Sequence, residues 1–244
     1  MSPPVLYPLI MLTALVVGLA LSRKRQRRLP MTAGQRWGVA LGAFCGGMLG
    51  AKLPFALADP LGPLCTQAWI ADGKTILFGL VGGYVGVELA KALVDVRVKT
   101  GDSFAVPVAV SIGLGRFGCF VGGCCYGVPT TWPWGVDFGD GVPRHPTQLY
   151  EVAFHLSAAA VLWVLERGNR FPRQRFKLYL IAYCVYRFAT EFVRPEVRLW
   201  GGLTGYQWTA LALLPVIGIL WWQDRPTTTA SAAPVGTTDA GSVA

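Results

Sequence analysis

Seven apolar runs divide this chain, at roughly 4–22, 37–58, 75–95, 104–121, 149–166, 176–193 and 205–223. A run of about 20 apolar residues has the length of a helix that crosses the hydrocarbon of a bilayer. In hydrocarbon every backbone N–H and C=O needs a partner from the protein, and a helix supplies those partners within one segment. The expected fold class is therefore all-α, a polytopic membrane protein with seven transmembrane helices. Charged residues make up only 14% of the 244, and 53% are hydrophobic. Soluble domains carry about 25% charged residues. The net charge of +9 has no soluble basic domain to carry it, so nucleic acid is not an expected partner.

The basic residues are unevenly shared between alternate loops. Arg23, Lys24, Arg25, Arg27, Arg28 and Arg36 follow the first run, and Lys91, Arg97 and Lys99 follow the third. Arg167, Arg170, Arg173, Arg175 and Lys177 follow the fifth, and Arg225 the seventh. The opposite loops hold only Lys52, Lys74, Arg144, Arg194 and Arg198. Lysine and arginine accumulate in cytoplasmic loops. The expected orientation has the N-terminus outside and the C-terminus in the cytoplasm. The first run reads as a retained helix, because its charges follow the apolar stretch and no small-residue cleavage site is evident. Residues 1–225 are read as one seven-helix transmembrane domain. Residues 226–244 are Pro, Thr, Ala, Ser, Gly and Val with one Asp, and are read as a disordered cytoplasmic tail.

Chemistry is expected first in Gly115-Arg116-Phe117-Gly118-Cys119-Phe120-Val121-Gly122-Gly123-Cys124-Cys125-Tyr126-Gly127, where the fourth run ends. Each glycine inside a helix costs about 0.5–1 kcal/mol relative to alanine. Two readings fit: close packing on neighbouring helices, or backbone N–H groups of Gly115 and Gly118 that join the Arg116 guanidinium around an anion. Intramembrane charges are costly and usually functional. The cysteine spacing, C-x4-C-C, is a weak zinc signal with no ligand-spaced histidine beside it. No metal site and no cofactor are expected. Cys45 and Cys184 fall inside apolar runs and read as packing residues.

In the third run Gly79 and Gly83, and Gly82 and Gly86, have the spacing that lets helices approach closely. In the sixth, Tyr183, Arg187 and Glu191 are four apart and share one helical face. Arg187 and Glu191 can pair there, as a self-neutralising ion pair or as a second cation for an anionic head group held by the glutamate. The fifth run opens at Arg144-His145-Pro146-Thr147-Gln148-Leu149-Tyr150-Glu151, and proline suits a helix start. His145 is a candidate general base, since histidine changes charge near neutral pH. Its alternative is an interfacial residue beside a helix cap. Glu151 lies at the membrane edge, where it can orient an arginine. His155, one turn inside, reads as a packed or hydrogen-bonded helix residue. No Ser-His-Asp order, phosphate loop or dinucleotide fingerprint is convincing.

Three of these elements together resemble the prolipoprotein diacylglyceryl transferases of the bacterial inner membrane. The family signature, Gly-Arg-x-Gly-Asn-Phe ending at a glycine, matches Gly115, Arg116, Gly118, Phe120 and Gly127. Its His-Pro-x-Gln-Leu-Tyr-Glu element matches His145 to Glu151, and its Tyr, Arg and Glu at four-residue steps match Tyr183, Arg187 and Glu191, followed by Phe192 and Arg194. The chain departs from the family pattern at Cys119, Gly122 and Cys124, and at Val81, where the family has a histidine before its Gly-Gly pair.

The resemblance implies transfer of a diacylglyceryl group from phosphatidylglycerol to a cysteine thiol in a prolipoprotein signal sequence, or a related thiol acceptor. That reaction occurs at the outer face of the inner membrane. It implies that Arg116 binds the lipid phosphate with Arg187 across the cavity, supported by Glu191 and Tyr183. With valine at position 81, His145 is the candidate base. The alternative is a non-catalytic phospholipid-binding or transport relative that kept the phosphate clamp. A third reading is a thiol-redox membrane protein using Cys119, Cys124 and Cys125.

Overall fold

The computed structural model describes residues 3–58 and 75–224. The expected tail, Cys65, Lys74 and Arg225 lie outside the described residues. Among those described there are seven α-helices: α1 Pro3–Gln26, α2 Ala33–Ala58, α3 Ile76–Leu93, α4 Gly101–Val121, α5 Thr147–Arg167, α6 Arg175–Thr190 and α7 Gly205–Gln223. Between α4 and α5 lies a small hairpin of β1 Val136–Asp137 and β2 Pro143–Arg144. Each helix coincides with one apolar run. The end of the sixth run differs: Glu191–Val193 tighten into a 3-10 turn that carries Glu191 beyond α6.

Five helices, α1 to α5, are long and apolar enough to cross a membrane. α6 falls short at 16 residues and carries Arg175, Lys177 and Arg187, while Tyr206, Gln207 and Trp208 dilute the start of α7. The lipid-type surface is plain. Leu12 is 57% exposed, Leu41 61%, Leu89 62% and Val164 59%. An apolar face of this extent in water would demand a partner. The polar residues of α5 point the other way: Gln148, Glu151 and His155, on one helical face, are buried.

Neighbouring helices run antiparallel in pairs, α1 with α4, α2 with α3, α4 with α5, and α6 with α7. One end of the bundle is basic. There Arg25 pairs with Glu166 at 3.1 Å, Lys99 and Lys177 reach Asp224 at 2.9 and 2.5 Å, and Arg23 stacks over Trp37. The other end gathers the C-termini of α4 and α6, the N-termini of α5 and α7, and the loop 122–146.

The tightest contact in the bundle is α2 on α3. A β-carbon on Gly50 would lie 2.8 Å from Gly82 Cα, and one on Gly46 would lie 2.8 Å from Gly86 Cα. Gly42, Gly46 and Gly50 form the row that meets Gly82 and Gly86. The matching row on α2 was not read from the sequence. Gly79 and Gly83 meet α2 more loosely, at 3.3–3.5 Å. In lipid such contact rests on van der Waals packing between backbones, since there is no hydrophobic gain from joining two apolar helices.

Gly82→Val should therefore lower stability by about 1–3 kcal/mol through overpacking. Gly218→Ala, at a position with open space around it, should stay within about 1 kcal/mol of the parent. Thermal unfolding in detergent compares the two.

Candidate active site

A cluster of ionised side chains is buried where α4, α5 and α6 converge. Its centre is Glu151, one turn into α5 and 1% exposed. Arg116 of α4 pairs through Nε with Glu151 Oε2. Arg187 Nη1 lies 3.3 Å from Glu151 Oε1, and Arg194 Nη2 lies 2.5 Å from the same oxygen. One carboxylate thus faces three guanidiniums from three different stretches of chain.

Glu191 completes the arrangement from the other side. Its Oε2 lies 2.8 Å from Arg187 Nη2, and its Oε1 accepts from Thr204 Oγ1 at 3.0 Å. Thr204 also caps α7: its backbone N–H donates to Gln207 Oε1, and its hydroxyl accepts from Gln207 N–H at 3.3 Å. The helix cap therefore fixes the carboxylate that holds Arg187. The Arg187 guanidinium also stacks over Tyr206, 4.6 Å from the ring centre. Buried arginine needs this many partners because an unpaired charge in low dielectric costs several kcal/mol.

Three guanidiniums against two carboxylates leave one net positive charge. A buried excess of that size suits one more anionic group, and the fork of arginine suits phosphate oxygens. Arg194 Nε is a buried donor without a hydrogen bond among the described residues.

Behind the cluster lies an aromatic layer. Tyr183, 1% exposed, packs against His155 with ring centres 5.1 Å apart, and Tyr179 OH is 2.8 Å from His155 Nδ1. His155 is fully buried, the packed and hydrogen-bonded residue that its position predicts.

His145 is elsewhere, at the rim. Its Nδ1 is 3.0 Å from Tyr150 OH, which accepts from Trp134 Nε1 at 2.9 Å. Among the described residues no hydrogen bond joins its ring to the arginines. Its backbone ties the rim together: His145 N–H donates to Val128 O, Gly127 N–H donates to His145 O, and Val128 N–H donates to Val193 O, next to Arg194. Gly127 has no room for a side chain there. A β-carbon would meet Val193 O at 2.5 Å and His145 Cβ at 2.9 Å.

Gly115 and Gly118 turn out to lie inside α4, with their bare faces on α1. A β-carbon on Gly118 would sit 3.2 Å from Ile10 Cγ2, and one on Gly115 3.7 Å from Met11 Sδ. Their N–H groups are within the helix, so the close-packing reading accounts for them, and Arg116 is the residue of that pair-flanked turn that enters the cluster. α4 runs to Val121, as the fourth apolar run does, and both glycines fall in its interior.

Two features escaped the sequence. Arg194, a loop charge by position and the last residue matched in the family resemblance, has no role in the sequence reading, yet it is a third guanidinium on Glu151. The thiols of Cys119, Cys124 and Cys125 gather within 4.8 Å of one another, which C-x4-C-C spacing alone does not announce. The Cys119 hydrogen bond and the Arg116 guanidinium hold the Cys125 thiol below the usual thiol range, against the upward push of burial.

Removing Glu151 should unbalance the cluster more than any surface change. Glu151→Gln leaves three buried guanidiniums facing one another, and a broken buried pair costs about 3–5 kcal/mol. Asp95→Asn, in the exposed Asp95–Arg97 pair, should leave the unfolding transition where it was. Thermal scans of the purified variants decide it.

The chain was compared with known proteins. A sequence model of the family described as prolipoprotein diacylglyceryl transferase matches residues 4–223. Proteins named phosphatidylglycerol–prolipoprotein diacylglyceryl transferase match along most of their length. The one from Nitratidesulfovibrio vulgaris is 33% identical over 90% of this chain and 89% of its own. The one from Coxiella burnetii is 34% identical over 87% of each chain. The one from Clostridium tetani is 32% identical over 79% of this chain and 81% of its own. On a match that spans all seven helices and the whole of the arginine cluster, the chain belongs to the prolipoprotein diacylglyceryl transferase family.

Proposed function

We propose that this protein transfers a diacylglyceryl group from phosphatidylglycerol to the cysteine thiol of a prolipoprotein signal sequence. The observation that carries the reading is the buried cluster of Arg116, Arg187 and Arg194 around Glu151, with its one net positive charge. The family relationship supports the substrates, since the relatives are named for them.

The reaction makes a specific electrostatic demand. The acceptor thiolate attacks the glycerol carbon that bears the phosphate. A C–S bond forms, the C–O bond breaks, and its electron pair leaves on glycerol phosphate. A singly charged phosphodiester becomes a phosphomonoester carrying a second negative charge. Arg116 and Arg187 are the side chains assigned to that phosphate, because fixed cations aimed at developing charge lower the barrier without reorganising. Glu151 and Glu191 hold their planes, and Tyr183 closes the apolar wall behind them.

The thiol must lose its proton. His145 is the base in this reading: it sits at the rim, where an acceptor arriving from outside meets it before the arginines. His155 is sealed behind Tyr179 and Tyr183. At position 81, on α3, valine offers no proton acceptor.

The setting follows from the charge pattern. All seven helices span the bacterial inner membrane, with α6 and α7 made tolerable by pairing their polar residues inward. The basic end faces the cytoplasm. The arginine cluster then opens on the outer side.

Two measurements test this. Transfer of labelled diacylglyceryl from phosphatidylglycerol to a signal-sequence peptide should fall about 10²–10⁴-fold in His145→Ala, the usual worth of a general base, while co-purified lipid persists by native mass spectrometry. Arg116→Lys should lose most of that lipid, because an ammonium cannot reproduce a planar fork. A wild type that keeps the lipid without turnover would mark a lipid-binding relative, and near-normal turnover in His145→Ala would remove that residue as the base. For orientation, a reporter fused after Asp224 should be active only in the cytoplasm, and periplasmic activity would invert the proposed topology.

A further inference from the structure

The end of α4 folds three thiols into one corner. Cys119 lies in the last turn. Gly122 N–H closes on Gly118 O at 2.9 Å, and Gly123, at φ 63°, reverses the chain so that Cys124 N–H returns to Cys119 O at 3.1 Å. Cys125 follows at φ 62°. A residue with a β-carbon pays about 1–2 kcal/mol in that left-handed region. The loop is held there by α5, where Gln148 Nε2 donates to Cys124 O at 2.6 Å and Thr147 Oγ1 donates to Cys125 O at 2.8 Å. The backbone carbonyls of Cys124 and Cys125 anchor the turn to α5, and within it the Cys124 thiol donates to Cys119 O at 3.6 Å.

The sulfurs also face one another. All three are free thiols, and their Sγ atoms lie within 4.8 Å of each other. A metal–thiolate bond of about 2.3 Å places three sulfurs ~4 Å apart around one ion, so the corner is within about an ångström of that spacing. The donor set is all sulfur. It suits soft d10 cations and not magnesium or calcium, which take oxygen. Arg116 Nη1 lies 3.9 Å from Cys119 Sγ, a cation placed to balance the negative charge that three thiolates keep after binding a divalent or monovalent ion.

We propose that Cys119, Cys124 and Cys125 form a binding site for one thiophilic d10 cation, of the Zn²⁺ or Cu⁺ class, at the edge of the arginine cluster. Occupied, the site is an anion beside Arg116 and competes with phosphate for that guanidinium, so a bound ion suppresses transfer. That consequence rests on the reading of Arg116 as a phosphate group; the binding itself does not.

The test uses the full chain in detergent, reduced with a phosphine, desalted and titrated with Cd²⁺. Thiolate-to-cadmium absorption in the ultraviolet should saturate at about one equivalent, and Zn²⁺ or Cu⁺ added in separate arms should displace it, ranking the two. Cys124→Ser should weaken binding at least the ~10-fold that losing even an outer-shell partner costs. The triple variant Cys119→Ser/Cys124→Ser/Cys125→Ser should abolish the signal and keep its thermal transition, since the loop anchors remain, while Cys45→Ser/Cys184→Ser should bind as the parent does. No saturable signal in the parent, an unchanged signal in the triple variant, or a native disulfide between any two of the three thiols would overturn the site. Binding with undiminished transfer would leave the site and sever its link to Arg116. A parent without turnover before metal is added would count against the transferase reading alone.

Discussion

The structure depends on Glu151. A carboxylate 1% exposed is expensive in low dielectric, and so is each of the three guanidiniums that face it. Together they are tolerable because each charge is met by others from different helices. The pairing works as a constraint on assembly: α4, α5 and the segment after α6 must come together, in register, for any of these charges to be buried at all. Apolar packing in lipid lacks such selectivity, since one leucine face fits lipid tails as well as another helix. The ionic centre therefore supplies what the apolar surfaces cannot, a reason for these particular helices to meet at this particular level.

The remaining helices support that centre by closer means. α2 and α3 meet backbone to backbone through Gly42, Gly46, Gly50, Gly82 and Gly86. α1 lies against the bare faces of Gly115 and Gly118, so the helix that carries Arg116 is backed on the side away from the cluster. α7 is tied to Glu191 through its own N-cap, Thr204. A change at the cap of α7 thus reaches the arginine of α6 through two hydrogen-bonded atoms.

The loop between α4 and α5 brings a different kind of chemistry to the same place. It folds back over the helix ends, pairs with the turn that carries Arg194, and sets His145 and three thiols around the rim. The rim is polar and partly exposed, and the arginines lie beneath.

Much of this fold was legible in one dimension. The seven helices coincide with the seven apolar runs, and five of them are long and apolar enough to cross a membrane, where a backbone has few options. The Arg187–Glu191 pair follows from a four-residue step on one helical face, a local relation that spacing alone reveals. The start of α5 follows from Pro146. What spacing could not reveal was contact between distant segments. Glu151 reads as a membrane-edge residue with one partner, yet it serves three arginines, 35 positions upstream and 36 and 43 positions downstream. Arg194 reads as a loop charge until the 3-10 turn after α6 swings it inward. Gly115 and Gly118 read either as packing glycines or as part of an anion site until α1 is seen to lie against their bare faces. C-x4-C-C reads as a weak pattern until Gly123 reverses the chain and closes the three sulfurs on one another. In each case the sequence determined which local conformations were allowed, through hydropathy, helical periodicity and the special residues glycine and proline. Only the tertiary structure decided which charges and thiols meet, because burying an ion is affordable only where its partners arrive from other helices at the same depth.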